Sequence, residues 1–589
     1  MSTLMSRRDL EFLLYEWLEV DSLTSRARFA DHSRETFDAV MDLSADIAQK
    51  CFAPVNKKGD ANPPYVDATG QVVLPSEIGD GLAQFRRAGL LAGSFDEALG
   101  GMQLPTVVNR AAMTWFQAAN AAMSSYYFLT AANANLLARF GTAEQIDSWV
   151  RPMLDGRFTG TMCLSEPQAG SSLADITTKA VAQADGTYRV TGTKMWISGG
   201  DHELTDNIVH LVLAKVAGGG SGVKGISLFI VPKYLTDGTR NDVALVGLNH
   251  KMGHRATTNA LLNFGDGTYT PTADSGAVGY LVGTEHRGLA YMFHMMNEAR
   301  IGVGLMATAL GYAGYLASLE YARTRVQGRS IAGEDSAPVA IIEHADVKRM
   351  LLAQKSYVEG ALALGLYCSK LVDEAETTTG PERERANLLL DILTPITKSW
   401  PSQWCLEANN LAIQVHGGYG YTTEFDVEQY YRDNRLNPIH EGTHGIQGLD
   451  LLGRKVTMHD GAGLTLLRDT IDDTIRRART TPALATYADE LATTLDQLVT
   501  VTARIWSAQD RAASLANASI YLEAAGHIVI AWIWLDQLLC VGDLDGAFYD
   551  GKRSAAQYFF RYELPRVAPQ LTLLAQLDRT TLDTDPTWL

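Results

Sequence analysis

The chain has few cysteines, and they are not arranged as metal ligands or as a disulfide framework. The five are scattered over 589 residues, odd in number and without a C-x-x-C pair, at Cys51, Cys163, Cys368, Cys405 and Cys540. A zinc site or a disulfide-rich secreted domain shows closely spaced cysteines. The pattern therefore predicts reduced thiols, a cytoplasmic protein and no metal site.

The chain also has no excess of positive charge and no long apolar run. Its 50 Lys and Arg residues stand against 67 Asp and Glu residues, and the net charge of −17 argues against a nucleic-acid surface or a broad surface for anionic membranes. The most apolar run, Ile528 to Cys540, contains Asp536 and is shorter than the roughly 20 residues of a membrane span. We therefore expect no nucleic-acid partner and no transmembrane segment.

The length and the changes in sequence pattern predict several domains of mixed α and β structure. A chain of 589 residues is too long for one ordinary core. Helical periodicity dominates residues 1–157, short β-rich runs separated by turns occupy 158–282, and helical periodicity returns over 283–455 and again over 456–589. The sequence thus predicts an α+β protein with a β domain set between helical ones.

Individual elements can be placed within these segments. Strand-like runs occur at Tyr188–Gly192, Asn207–Lys215, Ile226–Val231 and Ala260–Phe264. Long helical patterns cover Leu289–Arg325, Ile341–Leu371 and Asn387–Val415. We expect the last of these helices to be kinked or broken at Pro395 or Pro401, because proline removes a helix hydrogen bond.

The segment from Ile439 to Thr443 contains a candidate catalytic carboxylate. Pro438 should interrupt the preceding helix, which places Glu441 at a break, and Gly442 lets the backbone approach a ligand closely. A carboxylate there can act as a general base if apolar surroundings raise its pKa. Taken alone, a loop glutamate is more often a solvated charge.

Three further segments combine features that suit a planar or phosphorylated ligand. Residues 162–172 place small hydroxyl residues and a glycine in a turn, where free backbone N–H groups can hold an anion. Trp196 and Ser198 are two apart on a strand and should face the same side, a flat ring beside a hydroxyl. Residues 414–421 hold three glycines and allow close approach. A surface turn, a core tryptophan and a helix C-cap are the respective structural alternatives.

Together the four segments resemble the acyl-CoA dehydrogenase family. Residues 163–172 and 414–433 are similar to the family's two signatures, 196–198 to its flavin-flanking strand and 439–443 to its catalytic loop. The resemblance covers roughly Leu10 to Lys455. It implies a barrel-like middle β domain (158–282) and a C-terminal four-helix bundle (283–455). The additional helical domain (456–589) is similar to the extension of larger members, including long-chain and methylmercaptopropionyl-CoA dehydrogenases.

The resemblance implies an FAD-dependent reaction. Glu441 would take the α-proton of an acyl-CoA thioester while the β-hydride passes to FAD, giving a trans-2-enoyl-CoA. The Glu441 backbone N–H would stabilise the thioester oxygen as charge develops there. Desolvation would raise the pKa of Glu441 toward that of the activated proton.

The resemblance also implies contacts for each matching position. Arg325, Gln327, Gln414 and the glycines would reach the FAD of a neighbouring subunit, which implies a homodimer at least. The implied FAD contacts are Met162, Leu164, Ser165, Ser171, Trp196, Ser198, Arg325, Gln327, Gln414, Gly417, Gly418 and Thr443. The implied substrate contacts are Ser171, Arg300, Glu441 and Gly442, with Arg300 at the CoA end.

The chain departs from the family pattern at several positions. Ser172 stands where the first signature usually has Asp, and Met162 replaces a common aromatic residue. The segment from Arg325 to Gly328 is one residue shorter than the usual form. Some members carry the base on a helix, at the place of Ala299 here; Glu298 is one step away, which turns its side chain by about 100°. Glu441 is therefore the expected base.

We expect dehydrogenation of medium to long straight-chain acyl-CoA in fatty-acid β-oxidation, with an electron-transfer flavoprotein as acceptor. A 3-methylmercaptopropionyl-CoA dehydrogenase is the alternative within this chemistry, and an acyl-CoA oxidase is the second enzyme alternative. A flavin- or CoA-binding scaffold without turnover is the alternative from another class. A structural hydrogen bond is expected for His440, with tuning of the base as the alternative, and His344 is expected to cap or pack near a helix start. The stretch from Trp532 to Trp534 is expected in the core or at a subunit interface, with a membrane anchor as the alternative.

Overall fold

The computed structural model describes residues 4–272, 275–329 and 337–589, without the side chains of residues 294–297. It divides into two compact units. The sheet unit comprises Glu35–Leu104 and Trp115–Ala299, and the helical unit comprises Met1–Arg34, Pro105–Thr114 and Arg300–Leu589. The four expected domain boundaries are not tested by this division and stay predictions.

The sheet unit contains the β structure of the described residues. Its strands are β1 (Tyr65–Val66), β2 (Val72–Val73), β3 (Phe158–Cys163), β4 (Lys179–Ala182), β5 (Tyr188–Ser198), β6 (Asn207–Lys215), β7 (Ile226–Pro232), β8 (Val243–Leu248), β9 (Asn259–Phe264) and β10 (Ala277–Leu281). The expected β segment and its four strand-like runs are confirmed.

The strands after β2 form one sheet whose pairings close into a ring. The order β10-β7-β6-β4-β5 returns on itself because β10 also pairs with β5, while β9 and β8 continue from β5 and β3 pairs with β6. The ring gives this segment a barrel-like arrangement. Strand β6 is buried on both faces: Leu211 and Leu213 pack into a core shared with helices, whereas Val212 and Ala214 pack among strands. This two-sided burial explains its unbroken apolar run.

Helices complete the sheet unit and connect it along the chain. Those within the unit are Ala53–Ala61, Ser76–Arg87, Ala121–Phe140, Ala143–Gln145 and Arg151–Leu154, with π-helical turns at Ala48–Phe52 and Ile146–Val150. Three helices continue from one unit into the other: Arg34–Ile47, Thr106–Ala119 and Gly288–Thr324.

The helical unit contains the two remaining long helices of the expected C-terminal segment and the whole extension. Its α-helices are Arg7–Glu11, Ala345–Thr377, Gly380–His416, Val427–Asn434, His444–Asp450, Ala462–Arg479, Ala485–Ser507, Arg511–Leu515, Ala518–Val541, Ala547–Tyr558, Val567–Gln576 and Thr580–Asp583. Its π-helical turns are Phe12–Trp17, Leu451–Lys455 and Phe559–Glu563. The three expected long helices are present, and the four-helix bundle stays a prediction.

Helix Gly380–His416 was expected to be kinked or broken at a proline; the break is wrong, because the helix runs through both Pro395 and Pro401, and the kink stays a prediction. The hydroxyls of Thr394 and Thr397 bond carbonyls one turn earlier in the same stretch. A Cβ built on Gly304 would lie 2.0 Å from the Thr397 carbonyl, the acceptor that Pro401 leaves without its helix donor. Tight packing on Gly304 therefore maintains the helix where local propensity disfavours it.

Residues before Arg34 pack against the extension. Trp17 Nε1 donates to Asp536 at 2.9 Å, and Lys552 lies 2.5 Å from Asp9. Trp532 and Trp534 are at most 2% exposed, so their expected core role is confirmed. Both indole rings are enclosed by other parts of the protein.

Two helices of the described chain are long and apolar enough to cross a membrane. They are Gly288–Thr324 and Ala518–Val541, with 89% and 83% of the most apolar window buried inside the protein. Core helices of ordinary globular proteins have the same properties. The expected absence of a transmembrane segment stays a prediction.

Candidate active site

Glu441 lies in a tight loop between helices Val427–Asn434 and His444–Asp450. Its backbone is left-handed (φ 53°), and Gly442 follows with φ 88°. A Cβ at Gly442 would lie 2.5 Å from Gln447 Nε2, and the positive φ disfavours other residues, so the position favours glycine. The left-handed conformation at Glu441 costs roughly 1–2 kcal/mol. The expected chain break at this position is confirmed.

Side chains from two helices hold three carbonyl groups of this loop. Gln447 Nε2 donates to the Glu441 carbonyl at 3.0 Å. The ammonium of Lys398 donates to the Asn437 carbonyl at 2.8 Å and to the Gly442 carbonyl at 2.7 Å. Thr443 is the N-cap of the next helix, and its hydroxyl accepts the Ile446 N–H at 3.3 Å. These bonds hold the backbone of the loop and do not involve the Glu441 carboxyl.

A chain of amide side chains anchors the start of the loop. Asn434 Nδ2 donates to Asn409 Oδ1 at 2.7 Å, and Asn437 Nδ2 donates to Asn434 Oδ1 at 2.9 Å. His440 Nε2 lies 3.0 Å from Asn437 Oδ1. The expected structural hydrogen bond of His440 is therefore confirmed.

Burial raises the pKa of the half-buried Glu441 carboxyl, and the positive charges of Lys398 and Arg300 oppose that rise. Arg300 is 3% exposed and pairs with Asp450 Oδ2 at 2.8 Å. Its Nε has no hydrogen-bond partner among the described residues. The structure thus brings the expected base and the expected substrate arginine into one electrostatic environment, in which burial makes the carboxylate more basic and the two positive charges limit that gain.

Glu298, the other carboxylate considered, is already engaged. Both of its carboxylate oxygens accept from Asn135 Nδ2, at 2.8 and 2.7 Å. These hydrogen bonds lie within the sheet unit and hold the carboxylate against Asn135. The geometry therefore supports Glu441 as the better base.

The sheet unit carries the expected flavin-contacting residues around the bulge in β5. Pairing with β9 shifts register between Lys194 and Ile197, and Trp196 sits in the bulge with φ 68° and 57% of its surface exposed. The alternative of a core tryptophan is wrong. The expectation that Trp196 and Ser198 face the same side depends on regular alternation, which the bulge interrupts. Asn259 Nδ2 donates to Ser198 Oγ at 3.2 Å.

Ser165 joins the first signature segment to the bulged strand. Its hydroxyl donates to the Met195 carbonyl at 2.9 Å, and the Met195 N–H returns to the Ser165 carbonyl at 3.0 Å. Met162, in β3, and Leu164 next to it are half-buried. Ser171 lies on the exposed loop that follows. The structure thus joins Ser165 to the residue next to Trp196, and leaves Ser171 in the exposed part of the segment.

Glu166 and Lys194 were missed as the pair that fixes these two segments. Lys194 Nζ donates to the Leu164 carbonyl at 2.9 Å and to Glu166 at 3.0 Å, and neither ionic side chain is more than 1% exposed. Burial tends to raise the pKa of Glu166, but Lys194 and hydrogen bonds from Thr177 and Thr178 bring it to about 2. Glu166 lies in the first signature segment and Lys194 lies two residues before Trp196, but nothing in the sequence indicates that they pair.

A third group of expected residues forms an exposed surface on the helical unit. The Arg325 guanidinium lies 5.9 Å from the centre of the Tyr419 ring, next to the glycines. Gln414, Gly417 and Gly418 are exposed, and none of the described residues lies within 4 Å of a Cβ built on either glycine. Gln327 is exposed as well. Its backbone carbonyl lies 2.8 Å from His344 Nε2, so His344 packs near a helix start, as expected. This surface is open to a large ligand or a second chain.

Comparison with known proteins gives four family matches in chain order. The matched descriptions are acyl-CoA dehydrogenase, N-terminal domain (residues 43–157), middle domain (161–266) and C-terminal domain (286–456), and acetyl-CoA dehydrogenase C-terminal like (467–585). The last match covers most of the extension.

Two curated relatives align with this chain over nearly all of both sequences. The chain is 34% identical over 575 residues to 3-methylmercaptopropionyl-CoA dehydrogenase of Ruegeria pomeroyi, covering 94% of each chain. It is 33% identical over 610 residues to the broad-specificity linear acyl-CoA dehydrogenase FadE5 of Mycobacterium tuberculosis, covering 98% of each.

A solved structure confirms the fold over the whole length. An acyl-CoA dehydrogenase complexed with FAD from Bacillus anthracis superposes with a TM-score of 0.72 at 18% identity, covering 99% of this chain and 96% of that one. N-terminal helical, middle β and C-terminal helical segments are thus shared. The ordered matches and the two relatives above 30% identity show that the chain belongs to the acyl-CoA dehydrogenase family of oxidoreductases.

Proposed function

We propose that the protein catalyses FAD-dependent α,β-dehydrogenation of a linear acyl-CoA thioester of medium to long chain, giving a trans-2-enoyl-CoA in β-oxidation. The observation that carries the proposal is the Glu441 loop. Its carboxyl has a pKa raised by burial, and its left-handed backbone is held at three carbonyl groups.

Glu441 would remove the α-proton of the thioester. An α-proton is weakly acidic, so a base with a raised pKa reduces the mismatch in proton affinity. The backbone N–H of Glu441 would donate to the thioester oxygen as negative charge develops there. Arg300, buried beside Glu441 with an unused Nε donor, would contribute positive charge near the same substrate.

The residues of the sheet unit fit FAD. The Trp196 ring is 57% exposed in a bulge of an otherwise well-packed strand, which leaves a flat apolar face for a planar ring. Ser165 and Ser198 provide hydroxyl groups beside it, with Met162 and Leu164 as apolar neighbours. When bound, FAD supplies the acceptor for the β-hydride. FAD is the cofactor of the relative from Bacillus anthracis described above.

Two relatives support different acyl groups for the substrate. Similarity to a broad-specificity linear acyl-CoA dehydrogenase supports a straight chain. A similar identity to a 3-methylmercaptopropionyl-CoA dehydrogenase supports a short thioether chain as the second candidate. Both substrates require the same base and the same cofactor.

We propose a homodimer and an electron-transfer flavoprotein as acceptor, in the cytoplasm. The exposed surface of Arg325, Tyr419 and the glycines supports the dimer, because it is open and carries a cation beside an aromatic ring. The helices that carry Arg300 and Lys398 would belong to a four-helix bundle. Their close packing, with Gly304 against the Thr397 carbonyl, supports this.

The test is anaerobic reduction of the purified protein's flavin. Straight-chain acyl-CoAs from four to sixteen carbons and 3-methylmercaptopropionyl-CoA are added separately, and loss of the oxidised flavin band is followed. We expect the fastest bleaching with a straight chain of medium to long length. Fastest bleaching by the thioether substrate would favour the second candidate, and a bound flavin that no acyl-CoA bleaches would refute the proposed reaction. Rapid oxygen consumption during turnover would indicate that oxygen, rather than an electron-transfer flavoprotein, accepts the electrons.

A further inference from the structure

Lys398 is a buried lysine whose ammonium group spans the loop that carries Glu441. It lies in helix Gly380–His416, has no exposed surface, and donates to the carbonyls of Asn437 and Gly442 at 2.8 and 2.7 Å. These two carbonyls mark the two ends of the loop. One side chain therefore bridges the loop on either side of the proposed base.

The ammonium group has no direct carboxylate partner among the described residues. Its hydrogen bonds go to carbonyl groups, which do not neutralise its charge. A buried cation without an ion pair is costly. Burial lowers the pKa of Lys398 to about 7, with Glu441 opposing the change and Arg300 adding to it.

The charged groups around Lys398 come from three elements. Glu441 belongs to the loop, Arg300 to helix Gly288–Thr324, and His444 to the helix after the loop. Arg300 is already paired with Asp450 at 2.8 Å. Burial lowers the pKa of His444 to about 4, with Lys398 contributing, so this imidazole is neutral near pH 7. Among the described groups, Glu441 is therefore the negative charge that acts on Lys398, and it has no ion pair with another residue.

We propose that Lys398 is a positioning residue for Glu441. Its two hydrogen bonds hold the loop in the left-handed conformation that presents the carboxyl, and its positive charge sets the protonation state of that carboxyl. The second part rests on the proposed function, in which Glu441 is the base. The first part does not, because the loop has this geometry whatever reaction it serves.

The two roles respond differently to pH. A neutral amine still has two N–H donors for the two carbonyls, so the loop stays held when Lys398 loses its proton. The charge, however, disappears as the pH rises through about 7. Loss of the positive charge raises the pKa of Glu441, because an opposite charge nearby favours the carboxylate.

Two substitutions separate the roles. Lys398→Met removes both the donors and the charge, whereas Lys398→Gln removes the charge and keeps two amide N–H donors. Lys370→Met is the matched control: Lys370, on helix Ala345–Thr377, also donates to a backbone carbonyl, that of Leu18 at 2.8 Å. All three are made in the full-length, flavin-loaded protein.

The first measurement is amide hydrogen exchange of the peptide that covers the loop, which does not depend on catalysis. We expect exchange to rise by about tenfold or more in Lys398→Met, less in Lys398→Gln, and not at all in Lys370→Met. Unchanged loop exchange in Lys398→Met would overturn the positioning role, whether or not any acyl-CoA reduces the flavin.

The second measurement is the pH dependence of anaerobic flavin reduction. Both Lys398 variants should move the acidic limb of kcat/KM upward by about half a pH unit or more, and Lys398→Gln should keep more of the parental rate. A limb that stays in place would overturn the electrostatic role. If the parent protein's flavin is not reduced at all, the proposed function fails, and the exchange result still decides the role of Lys398 in the loop.

Discussion

Replacement of Lys552 should reveal how strongly a buried ion network holds the helical unit together. The network contains two carboxylates, Asp9 and Glu359, and two ammonium groups, Lys355 and Lys552. Lys552 lies 2.5 Å from Asp9 Oδ1 and 2.9 Å from Glu359 Oε2, and Lys355 pairs with Glu359. Asp9, Glu359 and Lys552 are each at most 3% exposed, and Tyr312 donates to Asp9 at 3.0 Å. The formal charges therefore cancel inside the core.

Lys552→Met leaves two buried carboxylates facing one ammonium group. Removing one partner of a buried ion pair costs roughly 3–5 kcal/mol of unfolding free energy. Burial and the nearby Glu359 already raise the pKa of Asp9, so Asp9 should take up the compensating proton in the variant. A carboxyl whose pKa is raised in the fold costs stability at neutral pH and less as the pH falls toward 4, where the unfolded carboxyl is also protonated. The deficit should therefore shrink on acidification.

The assay is urea unfolding followed by tryptophan fluorescence, since Lys552 Nζ lies 5.4 Å from the centre of the Trp534 ring. Asp9→Asn combined with Lys552→Met is the matched variant, because it restores charge balance and keeps an acceptor for Tyr312. We expect the double variant to recover most of the loss, as balanced apolar replacements often do. A loss below about 1 kcal/mol in Lys552→Met, or a double variant no more stable than the single one, would refute the charge-balance argument.

Three further outcomes are expected. Glu441→Gln should keep its flavin but lose about 10²–10⁴-fold in the rate of flavin reduction, and near-parental rates would move the base elsewhere. Gly442→Ala should slow flavin reduction as well, because its φ of 88° and a Cβ 2.5 Å from Gln447 disturb the loop; unchanged kinetics would show that the loop adapts. Burial raises the pKa of Asp373 from 3.8 to about 7, although the Val107 N–H donates to it, and this rise corresponds to roughly 4 kcal/mol. The stability of Asp373→Asn relative to the parent should therefore increase as the pH rises from 4 to 7. The difference between their urea unfolding midpoints is measured at pH 5 and pH 8. The same difference at both pH values would contradict this.

The elements were predictable from the sequence where local pattern and tertiary packing agree. Strand β6 was placed at Asn207–Lys215, its observed bounds, because Ile, Val and Leu residues dominate the middle of this run. The loop at Glu441 followed from Pro438 and Gly442. Helix Gly380–His416 was expected to be kinked or broken because it contains two prolines. The sequence does not show the close contact between Gly304 and the Thr397 carbonyl, which joins residues nearly a hundred positions apart.

The sequence predicted the site residues that lie in recognisable motifs and did not predict the residues outside them. Glu441 and Trp196 stand in recognisable segments, but the ammonium of Lys398 bonds carbonyls 39 and 44 residues further along the chain. No periodicity or spacing encodes such a contact. The same holds for Asp9 and Lys552, which meet from opposite ends of the sequence. Long-range side-chain pairs of this kind require the folded backbone.

The hydrogen bonds around two carboxylates distinguish a structural role from a catalytic one. Glu166 accepts from Lys194, from Gln168, and from the N–H and hydroxyl groups of both Thr177 and Thr178, and its pKa falls to about 2. Such a carboxylate cannot take a proton near neutral pH, so it fixes structure. The carboxyl of Glu441 accepts no hydrogen bond from the described residues, while its backbone is held firmly. Burial then raises its pKa. A rigid backbone with an unsatisfied carboxylate is the arrangement that a general base needs, since each donor added to the carboxylate would lower its affinity for the substrate proton.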